Sequence, residues 1–135
     1  MIHETSFKIR TFHVDAFGHV NNSKYLELLE ESRWRFAEDI GLIGLLADAN
    51  LGFIIIEMNV KFRQPTLEGE TILVETSLVE LGSSSGEVRQ TVKKENKSTI
   101  ALKSTYHFIL IDRATGKSVA IENEIRDLLL GITQR

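Results

Sequence analysis

The sequence predicts an α+β domain: one antiparallel sheet wrapped around a single long helix, with a short helix at the C-terminal end. Three observations predict it. Residues from about Asn22 to Ile40 keep apolar side chains at helical spacing over a length unmatched elsewhere in the chain. Four segments after Gly52 are rich in β-branched residues and are separated by short turn-forming stretches. The order is strand, long helix, then four strands in hairpin-like succession. Strands segregated from one dominant helix give an antiparallel sheet packed on that helix.

Taken in order, Glu4 to Phe12 alternates and reads as the first strand. A loop from Asp15 to Asn21 follows. In the long helix, Tyr25, Leu28, Leu29, Ser32, Phe36 and Ile40 share one face. Glu31 and Arg35 are spaced for an ion pair on another. Leu26, Trp34 and Ala37 widen the apolar surface, so the helix is expected to be covered on more than one side. Gly41 is a natural stop. Leu42 to Gly52 reads as a short second helix or an apolar lid. Phe53 to Gln64 is a strand ended by Pro65, the only proline. Thr66 to Gly69 turns, Glu70 to Leu81 is the next strand, and Gly82 to Gly86 is a small-residue loop. Glu87 to Lys94 and Ser98 to Ile111 form a hairpin about Asn96-Lys97. Asp112 to Lys117 turns with Gly116 at positive φ. Ile125, Leu128, Leu129 and Ile132 give the terminal helix its apolar face. The sheet is thus read as five-stranded, and residues 1–135 as one domain without linker or repeat.

At 135 residues with 42% hydrophobic content, the chain can bury a core of its own. A net charge of −3 gives no electrostatic reason to expect nucleic acid. The absence of cysteine excludes thiol catalysis and disulfides. His3, His13, His19 and His107 are scattered without metal-ligand spacing, so no metal is expected. No signal-type apolar run opens the sequence and no stretch has membrane-span length, so the expected compartment is the cytoplasm.

The chemistry concentrates between Asp15 and Tyr25: Asp-Ala-Phe-Gly-His-Val-Asn-Asn-Ser-Lys-Tyr. Phe12, Val14, Phe17 and Val20 flank the carboxylate, so it is expected against apolar surface, which disfavours ionisation. The helix start just downstream acts the other way, because its first N–H groups lack partners and favour an anion. Asn21 and Asn22 are capping types, and Gly18 lets the chain reverse. A carboxylate beside free N–H donors suits attack on a carbonyl, one group driving the nucleophile and the other holding the oxyanion. The plainer reading, a turn aspartate next to a helix cap, accounts for the same residues.

The pattern Asp15-x-x-Gly18-His19-Val20-Asn21-Asn22-x-x-Tyr25 resembles the opening motif of hotdog-fold acyl thioesterases of the 4-hydroxybenzoyl-CoA thioesterase type. Within that family it looks most like the bacterial long-chain acyl-CoA thioesterase branch, and plant acyl-ACP thioesterases carry a similar His-Val-Asn-Asn run. The resemblance extends over nearly the whole chain. It implies a hotdog fold paired edge to edge as a homodimer, or a dimer of dimers, with active sites at the seam. It makes Asp15 the catalytic carboxylate, either nucleophile or general base, and the Asn22 backbone N–H the oxyanion donor. Some relatives place a catalytic histidine at that position; here it is asparagine. His19 is a further catalytic candidate or a loop histidine over the helix start. Gly18, Asn21, Tyr25, Arg63 and Ser85 are the substrate-contacting candidates. Arg63, Lys61 and Lys103 are placed to meet nucleotide phosphates or simply to face solvent.

The expected activity is hydrolysis of an acyl-CoA, medium- or long-chain fatty, to acid and CoA. Leu28, Leu29, Ile55 and the 42–51 segment are expected to line either core or an acyl tunnel. CoA is part of the substrate and no cofactor is expected. Acyl-ACP as substrate is the nearest rival, and a non-catalytic acyl-CoA-binding module is the rival of another class.

Overall fold

A computed structural model of the chain describes residues 1–133. Its strands are β1 (His3–Lys8), β2 (Leu51–Phe62), β3 (Thr71–Leu81), β4 (Ser85–Lys94), β5 (Ile100–Asp112) and β6 (Ser118–Val119). Its helices are α1 (Asn22–Asp39), α2 (Leu42–Ala49) and α3 (Asn123–Ile132). The main sheet runs β1-β3-β4-β5-β2 with antiparallel neighbours throughout. The expected five strands are present, and β6 adds a sixth, pairing with Leu110 and Ile111 of β5 just beyond the point where β4 leaves it.

Helix α1 is built as its spacing predicts. Tyr25, Leu28, Leu29, Ser32 and Phe36 are buried, and Arg35 meets Glu31 at 3.1 Å. Asn21 caps the start, its Oδ1 accepting from Ser23 N at 2.9 Å. Gly41, at φ +80, turns the chain away after the last turn. Gln90 ties the helix to the sheet from a fully buried position. Its Nε2 donates to Leu29 O and Thr76 Oγ1, and its Oε1 accepts from Arg33, whose guanidinium lies 4.3 Å from the centre of the Tyr106 ring. Such a buried amide is tolerable because its donors and acceptor are used.

Three expectations need correction. β1 ends at Lys8, four residues early, because the chain turns through a 3₁₀ segment at Thr11–His13. Ile9 still exchanges backbone hydrogen bonds with Gly69 and Glu70. Ser85 and Gly86 belong to β4 rather than to a free loop. Gly86 is required there by close approach, since a Cβ would stand 2.5 Å from the Phe108 ring. Leu26 and Trp34 are exposed, so within a single chain the sheet, with α2 and α3 packed near Phe36, leaves that part of the widened apolar surface of α1 uncovered.

The core falls into two clusters. One gathers Ile9, Val20, Tyr25, Leu28, Leu29, Val74, Leu102 and Tyr106 beneath the first half of α1. The other joins Phe36, Leu42, Leu46 and Phe108 to Ile125 and Leu129 of α3. β2 is an edge strand, and Ile54, Ile56, Met58 and Phe62 along it are all exposed. Among the described residues no helix is long and apolar enough to cross a membrane.

Candidate active site

The loop before α1 is a closed hairpin. Val14 bridges Val20, Asp15 N donates to His19 O at 2.9 Å, and Gly18 N donates to Asp15 O at 3.0 Å. Gly18 sits at φ +79, which a side-chain-bearing residue adopts only with strain. The Asp15 side chain closes the turn from inside. Its Oδ1 accepts from Phe17 N at 2.9 Å and from His19 N at 3.3 Å. Among the described residues its second oxygen has no hydrogen-bond partner. One oxygen is therefore anchored by amides while the other is presented outward.

The same hairpin carries the helix start. Asn21 N donates to His13 O at 2.9 Å, and Tyr25 N to Asn21 O at 3.0 Å. The Asn21 side chain takes Ser23 N and Ser23 Oγ. The Asn22 N–H, first in the helix, has no acceptor among the described residues, as the first N–H groups of a helix generally lack one. Asp15, Gly18, His19, Asn21 and Asn22 are thus brought together on one short, hydrogen-bonded unit.

The surroundings differ from expectation. Asp15 is exposed rather than set against apolar surface, and its neighbours Phe12 and Phe17 are 69% and 84% exposed. The sequence pattern correctly marks these rings as apolar neighbours, but nothing in the single chain covers them. His19 is half-buried; its backbone bridges Leu67, and its ring has no hydrogen-bond partner among the described residues. Tyr25 is buried in the core, its ring 5.9 Å from that of Phe62. Arg63 is exposed just past β2. Ser85 stands at the other end of the sheet. It pairs with Ile109, whereas Arg63 N donates to Ala101 O, and these two β5 positions are separated by roughly 27 Å of strand. Within one chain, Ser85 does not join the site.

Two clefts of about 440 Å³ each lie beside the turn after β2 and share Gly69. One is lined by Lys8 to Phe12 with Glu68 and Gly69, the other by Gln64, Glu70, Thr71, Lys94 and neighbours. Neither is lined by Asp15 or Asn22, and neither reaches Leu28, Leu29 or Ile55, which serve as core or as its border.

The support behind the loop comes from residues that the sequence reading passed over. Thr66, fully buried, accepts from Val20 N at 2.8 Å through its carbonyl and from the Tyr25 hydroxyl at 2.6 Å through its Oγ1. Glu70 holds the turn that carries Thr66, accepting from Leu67 N at 3.1 Å and from Lys94 Nζ at 2.7 Å. Burial pushes the Glu70 carboxyl upward, but Lys94 and the Leu67 amide outweigh it and hold it below its ordinary value. His13 is held below its ordinary value by burial, helped by Lys24 and Arg10. Its Nδ1 accepts from Arg10 N at 2.8 Å, which needs that nitrogen unprotonated.

Residues 9–129 match the family model described as the thioesterase-like superfamily. The chain belongs to that superfamily. It is therefore a thioester hydrolase built on the hotdog fold. It is 31% identical over 126 residues to the long-chain acyl-CoA thioesterase FadM of Escherichia coli, covering 93% of this chain and 96% of the relative. The structure of the probable thioesterase YbaW from Escherichia coli superposes with a TM-score of 0.89 at 30% identity, covering 97% and 98% of the two chains. An acyl-acyl carrier protein thioesterase of Arabidopsis thaliana, ATL3, is 31% identical over 77 residues, which is 56% of this chain and 40% of the relative.

Proposed function

We propose that this member of the family hydrolyses fatty acyl-CoA, of medium or long chain, with Asp15 as the catalytic carboxylate. One observation carries the reading: Asp15 has one oxygen fixed by turn amides and one free, on the same hairpin that presents the unpartnered Asn22 N–H. A thioester carbonyl seated between them meets a nucleophilic or basic oxygen on one side and an oxyanion donor on the other. As nucleophile, the free oxygen attacks the carbonyl carbon, the CoA thiolate leaves, and water cleaves the resulting anhydride. As base, the same oxygen takes a proton from the attacking water. Both routes use the carboxylate ionised. No side-chain acid at Asn22 and no cofactor is needed.

The likeness of nearly the full chain to a long-chain acyl-CoA thioesterase supports CoA as carrier. The shorter likeness to acyl-acyl carrier protein thioesterases keeps the carrier protein as the alternative. The exposed apolar edge of β2 and the bare Phe12 and Phe17 support a homodimer paired along β2, or a dimer of dimers. Such pairing lines each site from two copies and leaves Arg63 and Ser85 as substrate-contacting candidates, while Tyr25 stays in the core.

The test is thiol release from a series of acyl-CoAs and from the matching acyl-ACPs, with equilibrium binding measured in parallel. Turnover of medium or long acyl-CoA is expected, at higher kcat/KM than on the carrier protein. Tight binding without thiol release from any donor contradicts the reading and makes the chain a binding module.

A further inference from the structure

β2 carries a self-complementary charge pattern on its free edge. The register with β5 sets the faces: Met58, Val60 and Phe62 lie opposite Tyr106, Ser104 and Leu102 of the buried face, so Glu57, Asn59, Lys61 and Arg63 point to the outer face. There Lys61 stands directly opposite Lys103, a like-charge pairing that destabilises a sheet. Among the described residues neither lysine has a carboxylate in ion-pair reach, and Glu57 has no cation.

The backbone restricts how a second copy can add to this edge. Arg63 N donates to Ala101 O, so the odd-numbered residues from Glu57 to Arg63 spend their N–H and C=O groups on β5. Met58, Val60 and Phe62 direct theirs to the open edge. An isologous antiparallel pair must then oppose even with even and odd with odd, so its axis passes through a residue. An axis at Glu57 sets glutamate against glutamate, and one at Lys61 sets lysine against lysine. An axis at Met58 leaves Lys61 against Ile55, and one at Val60 leaves it against Asn59, setting Glu57 instead against Arg63, which lies past the end of β2. Only an axis at Asn59 gives Lys61 a carboxylate within the strand.

We propose that two copies of this chain pair along β2 in the register centred on Asn59, with Glu57 of each opposite the partner subunit's Lys61. This rests on the edge-to-edge pairing proposed above and specifies its register. Met58 then exchanges backbone hydrogen bonds with the partner subunit's Val60. Glu57 and Asn59 occupy non-hydrogen-bonded positions, where side chains stand closest. The ladder runs from Ile56 to Phe62, bounded by the bulge between Ile55 and Glu57 and by the end of β2. It sets the partner subunit's Ile56 against Phe62, beside Tyr25. It also brings the partner subunit's Ser85, remote within its own chain, to within three strand spacings of this end, about 14 Å.

The chain has no cysteine, so single cysteines report the register directly. Under mild oxidation, Asn59→Cys is expected to form a covalent dimer, since facing Cα atoms about 4.5 Å apart allow a disulfide. Val60→Cys is expected to stay uncrosslinked. In sedimentation equilibrium, Glu57→Lys is expected to weaken the dimer roughly tenfold, and Glu57→Lys with Lys61→Glu to restore it. Crosslinking at Val60 instead of Asn59, or no rescue by the double reversal, overturns the register while leaving edge pairing intact. A wild-type protein that stays monomeric overturns both.

Discussion

The Tyr25 hydroxyl donates to Thr66 Oγ1 at 2.6 Å, both residues being buried. This bond ties the first turn of α1 to the turn after β2, and through the Thr66 carbonyl to Val20 on the Asp15 hairpin. Burial raises the Tyr25 hydroxyl above its ordinary value, so it stays a donor across the working pH range. Tyr25→Phe is expected to cost about 1–2 kcal/mol in stability. It should also lower kcat several-fold by loosening the helix start. Denaturant midpoints and thiol release check the two effects separately; a variant of unchanged stability and activity would remove Thr66 as a positioning residue.

Gly18 holds the hairpin at φ +79, and a Cβ there would meet nothing within 4 Å. Gly18→Ala is therefore expected to cost about 1–2 kcal/mol through backbone strain alone. Because Phe17 N and His19 N hold Asp15 Oδ1 on either side of it, activity should fall by more than stability predicts. Urea denaturation and kcat/KM, measured on one preparation, give the comparison.

Asn21 separates capping from charge. Asn21→Ala is expected to destabilise by about 1 kcal/mol. Asn21→Asp keeps the acceptor for Ser23 N and suits the helix N-terminus, so stability should hold. It also places a second carboxylate where an oxyanion must develop, so kcat should drop. An Asn21→Asp variant that matches wild type in kcat would argue against oxyanion stabilisation at this helix start.

Acid stability follows from Glu70 and His13. Glu70 has a depressed folded value, so the unfolded state takes the proton first as pH falls. Its contribution is complete above the ordinary value of 4.5 and is lost as pH drops through the folded value. His13 is also depressed, so its neutral form is the one the fold favours. Stability begins to fall below the ordinary value of 6.5 and continues down through the folded value. Both act in one direction: stability rises with pH across this range. Glu70→Gln is expected to cost about 1 kcal/mol at neutral pH and to flatten the profile below 4.5. Thermal melts at a series of pH values would show it, and an unchanged slope would contradict it.

Much of the fold was legible because its signals are local and periodic. The spacing of Tyr25, Leu28, Leu29, Ser32 and Phe36 marks α1, and Gly18, Gly41 and Gly116 mark reversals that do adopt positive φ. β6 was missed because two residues have no period; only pairing with Leu110 and Ile111 makes them a strand. Thr66 was missed because a lone threonine after Pro65 has no local signal. Its role appears only when Tyr25, distant in sequence, needs an acceptor. The Asp15 hairpin was legible as a unit from Gly18 and the two asparagines. Its expected apolar cover was not found, because Phe12 and Phe17 point to a requirement that one chain does not meet.

The free oxygen of Asp15 is the proposed catalytic group, and Asp15→Asn tests that role most directly. The substitution keeps an acceptor for Phe17 N and His19 N, so the turn should survive, while the nucleophilic or basic oxygen is lost. Steady-state thiol release on the best acyl-CoA is expected to show kcat/KM lower by at least about a hundredfold, with a near-native melting temperature. A folded Asp15→Asn protein that hydrolyses the same thioester at the wild-type rate would contradict the assignment.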